Sequence, residues 1–251
     1  MLTIDNVSKH FAGVRAVDGC SFQVEAGKIT GLVGPNGAGK TTLFNIIAGF
    51  IKPTDGRISL YDTDVTGLAP HQLFKLGVVR TFQIPREFGR MTVLENLMIV
   101  PPKQLGENLL ASWLRWRQVL SEEADIRRKA EEVLDYLNLG HVRNELAQGL
   151  SGGQKKLLEL GRTLMIDPQV ILLDEPGAGV NKTLLRELSE IIERLNREQN
   201  CTFCIIDHDL DLMDRLCDRI IVMAQGQVLA EGTMSALRQN SEVQAAYLGN
   251  V

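Results

Sequence analysis

No apolar run in the 251-residue sequence approaches the roughly 18 residues needed to cross a bilayer as a helix, so no membrane span is expected. The N-terminus lacks the pattern of a secretory leader, and the chain is expected to reside in the cytosol. Excess positive charge is also missing. The net charge is −4, which removes bulk electrostatics as a route to nucleic acid, and no nucleic-acid partner is expected. There is no long repeat, no low-complexity tract and no heptad run long enough for a coiled coil. Cysteine is scarce, at four residues. Cys201 and Cys204 form a C-x-x-C, but within the apolar "CTFCIID", which reads as a strand. Residues three apart on a strand face opposite sides, so the pair is expected as buried core thiols, not as a zinc or redox site. No second pair exists to complete such a site. What remains is ordinary globular composition, 44% hydrophobic and 23% charged, in a length that suits one large domain or a core with a subdomain.

Against that background "GLVGPNGAGKTTLFNII" stands out. Gly34-Pro35-Asn36-Gly37-Ala38-Gly39-Lys40-Thr41 fits G-x-x-x-x-G-K-[ST], the phosphate-binding loop. Backbone N–H groups converge on an anion only where no side chain blocks the approach, hence Gly37 and Gly39. The following helix adds unpaired amides and the positive end of its dipole. Lys40 reaches the β- and γ-phosphates, and the Thr41 hydroxyl can ligate Mg²⁺. Gly34, Asn36, Gly37, Ala38, Gly39, Lys40, Thr41 and Thr42 are therefore candidate nucleotide-binding residues. A glycine-rich turn without a ligand is the plainer alternative. The context disfavours it: Ile29–Val33 reads as a buried strand, and Leu43, Ile46 and Ile47 then recur at helical spacing.

Strands are expected at Leu2–Val7, Ser21–Val24, Arg57–Tyr61 and Val78–Phe82, and a helical pattern from Thr92 to about Asp167. Ser121 is expected to cap a helix whose apolar stripe is Ile126, Ala130, Val133, Leu134 and Leu137. Strand Val170–Leu173, helix Asn181–Leu195, strand Thr202–Ile206, helix Leu210–Leu216 and strand Arg219–Met223 then alternate, the signature of a parallel α/β core. The pattern as a whole is an α/β nucleotide-binding core with early antiparallel strands and a helical insertion.

Val170–Leu173 ends in Asp174-Glu175. So apolar a strand is buried on both faces, and its ionised groups must emerge at the C-terminal tip, where open α/β sheets place ligands. Asp174 is expected to partner Mg²⁺ indirectly, behind the ion's direct ligands, and Glu175 to polarise water for attack on the γ-phosphate. Leu150-Ser151-Gly152-Gly153-Gln154 precedes a helix with stripe Leu157, Leu160 and Leu164. Ser151 thus stands at an N-cap with two glycines exposing amides behind it: a second anion site, or a plain helix cap.

LSGGQ about 20 residues before the Asp174 strand resembles the ATP-binding-cassette (ABC) ATPases, and the resemblance covers essentially the whole chain. It implies a P-loop NTPase (RecA-like) core, residues 1–84 and 166–251 with an antiparallel β subdomain, and an α-helical signature subdomain inserted at 85–165. It implies that ATP and Mg²⁺ bind. Phe11 matches the aromatic that stacks on adenine, with a core phenylalanine as the alternative. Gln83, in "RTFQ", matches the glutamine that senses Mg²⁺ and the attacking water. His208, in "IIDHD", matches the histidine at the γ-phosphate, so the expected catalytic set is Glu175, His208, Gln83 and Lys40, with Thr41, Gln83 and Asp174 at the metal. Ser151, Gly152, Gly153 and Gln154 would face nucleotide held by a second cassette. The loop Gly177–Asn181 matches the one crossing the dimer interface, with Asn181 where many members carry Asp.

"RTFQ", "MTVLENLMI", the AGVN variant and "VQAAYLGN" together resemble the LivG-type ATPases of branched-chain and hydrophobic amino-acid uptake. This implies a peripheral subunit at the cytoplasmic face of the membrane. Its partners would be a second cassette, two transmembrane permease subunits and, indirectly, a substrate-binding protein. ATPases of urea uptake or lipopolysaccharide export look alike as single cassettes. Soluble ABC proteins carry two cassettes or long coiled coils, and a metabolic P-loop kinase would lack LSGGQ. Trp113 and Trp116, in the segment Pro101–Ser121 that looks like an insertion of such members, are expected on one helical face, against a partner or in a satellite core.

Overall fold

Strands β1 (Leu2–Phe11), β2 (Val14–Val24), β3 (Ile29–Val33), β4 (Asp55–Leu60) and β5 (Thr63–Asp64) open the chain. The computed structural model describes residues 1–81, 87–107 and 113–248. A four-stranded antiparallel sheet has the order β2-β1-β4-β5. Its strands bury one set of side chains, among them Leu2, Ile4, Val17, Phe22 and Ile58, into the main core. β2 starts at Val14, seven residues ahead of the expected Ser21. His10 pairs with Arg15 and Phe11 with Val14, so a ladder extends the strand through residues that carry no apolar alternation.

The second sheet gathers β3 with β6 (Val78–Arg80), β7 (Val170–Asp174), β8 (Phe203–Ile206), β9 (Arg219–Ala224) and β10 (Gln227–Gly232) in the order β10-β9-β3-β8-β7-β6. All its pairs are parallel except the β9–β10 hairpin. β3 and β8 are buried at every position, which is why they read as unbroken apolar runs. Helix α2 (Pro70–Lys75) leads into β6, and helices α1 (Lys40–Ile47), α6 (Lys182–Gln199) and α7 (Leu210–Leu216) follow β3, β7 and β8. Parallel strands joined by helices end at one edge, so the segments after β3, β6, β7 and β8 all leave from the same side of the sheet. This α/β architecture is the expected P-loop NTPase class.

Two compact units make up the chain: Met1–Gln83 with Pro168–Val251, and Ile84–Asp167. The second unit holds α3 (Val93–Met98), α4 (Trp116–Tyr136) and α5 (Gly152–Leu164). Thr92 and Glu95 form a capping box at α3. A Cβ on Gly161 would stand 2.7 Å from Leu137 Cδ1, so glycine lets α5 lie close to the chain after α4. Two expectations fail in this unit. Ser121 caps nothing, because α4 runs straight through it from an N-cap at Arg115. Arg115 has φ −123° and ψ 30°, so the helical path breaks between Trp113 and Trp116 and they do not share a continuous helical face. Both are exposed, at 80% and 55%, which removes the satellite core.

Candidate functional site

The loop after β3 needs glycine for two different reasons. A Cβ on Gly34 would lie 2.2 Å from the Met223 carbonyl, and one on Gly39 2.3 Å from the Ala16 carbonyl, with φ of 149° and 96°. Backbone is packed on backbone there, and only glycine fits. Gly37, at φ 79°, would meet nothing within 4 Å. Its turn is exposed and open to an approaching ligand. Gly39 is the N-cap of α1 and offers no side-chain cap, which leaves the first-turn amides unanswered by any cap. Lys40 Nζ donates to the Gly34 and Pro35 carbonyls at 2.7 and 2.9 Å, folding over its own loop. Burial lowers its pKa below the usual lysine value, and the Glu175 carboxylate nearby pulls the other way.

On the same edge β7 delivers Asp174 and Glu175. Glu175 is held at φ 47°, a left-handed conformation rare for a residue with a Cβ, while its N–H donates to the Ile206 carbonyl at 2.8 Å. β8 delivers Asp207, fully buried, and His208, whose side chain is 73% exposed. Asp207 Oδ1 accepts from the His208 and Asp209 amides at 2.7 and 3.0 Å, and Oδ2 from the Gly177 amide at 3.1 Å. This carboxylate therefore ties the loop after β7 to the loop after β8. Asn181 caps α6 through its Oδ1, which accepts from Leu184 N–H at 2.9 Å. An amide oxygen does this as well as a carboxylate would, so the structural part of that position is independent of charge.

The sheet thus brings the loop 34–42, Asp174, Glu175 and His208 to one edge. Phe11 closes β1, 45% exposed, with Lys9 Nζ 5.3 Å from its ring centroid. It is no core residue. Gln83 lies outside the described residues. Ser151 to Gln154 belong to the other unit, where Ser151 Oγ accepts from the Gln154 amide at 3.3 Å and Gln154 Oε1 from the Ser151 amide at 2.9 Å. This is the plain helix cap, fully formed, yet Ser151 and Gly152 are exposed and the Ser151 O–H donates to no described residue.

Oxygen donors alone, the Thr41 hydroxyl and the Asp174 carboxylate, suit Mg²⁺, which keeps several waters and takes further oxygens from phosphates. No cluster of three or more metal-ligating side chains occurs among the described residues. Cys201 and Cys204 are buried and outside any disulfide, with the Cys204 thiol pushed up to about 12 by burial. Cys201 lies just ahead of β8, not within it.

Residues 17–178 match the family model described as ABC transporter. The chain is 42% identical over 250 residues to the probable branched-chain amino acid transport ATP-binding protein LivG of Archaeoglobus fulgidus, covering 99% of this chain and 95% of that one. It superposes on MJ1267, an ATP-binding cassette of an ABC transporter, in its ADP conformation, with a TM-score of 0.84, 38% identity and coverage of 99% and 98%. A dimeric post-hydrolysis state of the cassette MJ0796, bound to ADP and Pi, matches with a TM-score of 0.75 and 26% identity over 93% and 99% of the two chains. Glycines cut to fit a phosphate loop, a carboxylate-tipped strand beside it and near-complete coverage of known cassettes agree: the chain belongs to the ABC transporter family as one of its ATP-binding-cassette ATPases.

Proposed function

We propose that the chain is the ATP-hydrolysing subunit of an ABC importer that powers uptake of branched-chain or other hydrophobic amino acids. The cargo rests on the similarity to the LivG protein and the pairing of two cassettes on the dimeric relative. In this reading residues 1–84 and 166–251 form the nucleotide core and 85–165 the signature subdomain. Two permease subunits hold the pair at the cytoplasmic face of the membrane and receive cargo from a substrate-binding protein. Among the described residues no helix is long and apolar enough to cross a membrane, in keeping with a peripheral subunit. The exposed Trp113 and Trp116 offer the permease an apolar surface.

One observation carries the reading: the open glycine turn, the Asp174-Glu175 tip and His208 follow the neighbouring strands β3, β7 and β8 at one sheet edge. Amides of residues 34–42 cradle the phosphates, and Lys40 exchanges its loop carbonyls for phosphate oxygens. Thr41, Asp174 and Gln83 would hold Mg²⁺, which would supply positive charge against the phosphates. Glu175 accepts the proton of the attacking water, and His208 contacts the γ-phosphate. Phe11 stacks on adenine. Ser151, Gly152, Gly153 and Gln154 complete the cage around the γ-phosphate of a second cassette, so ATP draws two chains together and its hydrolysis releases them.

Glu175→Gln tests the assignment of the base. ATP affinity should persist while hydrolysis falls on the order of 10²–10⁴-fold, and an ATP-bound dimer should accumulate. Phosphate release within about tenfold of wild type would reassign the base.

A further inference from the structure

Arg80 ends the edge strand β6, and none of the functions proposed above uses it. Its guanidinium is nearly enclosed, the side chain 10% exposed and that of its partner Asp174 12%. Nη2 donates to Asp174 Oδ2 at 2.5 Å, and Nη1 to Asn45 Oδ1 at 2.6 Å. The plane sits 5.6 Å from the Phe44 ring centroid and 5.5 Å from that of Phe50. Nε makes no hydrogen bond among the described residues, so the direction of the fork is set by those two ends and the two rings. A planar guanidinium gripped in this way has little freedom left to turn.

What it joins is informative. Asn45 lies one helical turn beyond Thr41 on α1, so the two share a face of the helix that follows the phosphate loop. Asp174 is the tip of β7. Arg80 therefore bridges the two elements that carry Thr41 and Asp174, the two described residues assigned to the metal. It occupies Oδ2 and leaves Asp174 Oδ1, which makes no hydrogen bond among the described residues.

We infer that Arg80 is a positioning residue, a strut from Asn45 to Asp174 that sets the spacing and orientation of the Mg²⁺ donors. The inference rests on the nucleotide-site reading above. Partners that orient a metal's ligands change metal affinity by about 10- to 100-fold when removed. An Arg80 that served only the sheet edge would alter stability and leave metal affinity alone. An Arg80 that acted chiefly by charge would repel the ion, and its removal would tighten binding.

The test uses the full chain with ADP, with Mn²⁺ as a paramagnetic stand-in for Mg²⁺ read by electron spin resonance, and ADP affinity measured separately in chelator by calorimetry. For Arg80→Met the Mn²⁺ concentration that half-saturates the ADP complex should rise about 10- to 100-fold, with metal-free ADP affinity unchanged. Arg80→Lys, which keeps the charge and loses the fork, should fall between. Asn45→Ala, which removes one end of the strut, should shift the same way by less. Unchanged or tighter Mn²⁺ binding in folded Arg80→Met overturns the inference. If that variant fails to fold, wild-type Mn²⁺ affinity in Asn45→Ala overturns it instead. Asp174→Asn serves as reference: if it too leaves Mn²⁺ binding unaltered, the metal reading of Asp174 fails, and the strut falls with it.

Discussion

Phe11 is a large apolar side chain held in the open at the end of a strand, where burial offers it nothing. Under the proposed function Phe11 is a stacking platform for the base, and π-faces do not distinguish one purine from another. Phe11→Ala should therefore weaken ATP and GTP binding alike, by about 1–3 kcal/mol. Calorimetric affinities equal to wild type for both nucleotides would remove the platform. Residues differ in how far their work can be read from sequence. Asp174 and Glu175 declare themselves because an apolar strand must put its charges at its tip. Arg80 and Asp207 do not. Arg80 meets Asp174 across 94 positions of sequence and Asp207 meets Gly177 across 30, so their meaning lies in partners that only the folded sheet supplies.

At the scale of elements, the turn from β3 into α1 separates two uses of glycine. Gly39 is required by packing, since any Cβ would press on the Ala16 carbonyl, which is backbone and cannot rotate away. Gly37 has open space around its Cβ position, so packing does not demand glycine there; its left-handed backbone, at φ 79°, and whatever must approach the turn do. Gly39→Ala should thus lower unfolding stability by about 1–3 kcal/mol and weaken nucleotide binding, as urea melts and calorimetry would report. Gly37→Ala should lower stability less and still weaken nucleotide binding. Equal stability losses for the two would contradict this division. β3 and β8, buried at every position, and β7, buried up to its tip at Asp174, are legible to within a residue or two. β2 and β10 are not, because their pairing is made by neighbours and their own pattern carries little alternation. Ser121 misled for a related reason. A serine inside an apolar-striped helix resembles a cap, but the exposed turn before it, Trp116–Leu120, is polar and apolar by turns and continues the same helix.

The molecule as a whole raises a question that no single element answers. The phosphate loop with its carboxylates and histidine sits in the unit that joins both ends of the chain. Ser151 sits in the other unit, with an exposed hydroxyl whose proton is not donated to any described residue. Under the proposed function Ser151 serves the site of a second chain, and every active site would then be shared between two molecules. Two inactive proteins test this most directly. Lys40→Ala disables the loop of its own chain, and Ser151→Ala disables the site its chain completes in a neighbour. In a mixed dimer both lesions fall in one composite site, and the other is built wholly from intact halves. Steady-state phosphate release from the mixture should exceed that of either variant alone, and the rate per molecule should rise with protein concentration as dimers form. Mixtures in which cross-linking captures the mixed dimer, yet phosphate release stays at the level of the separate variants, would contradict the shared site.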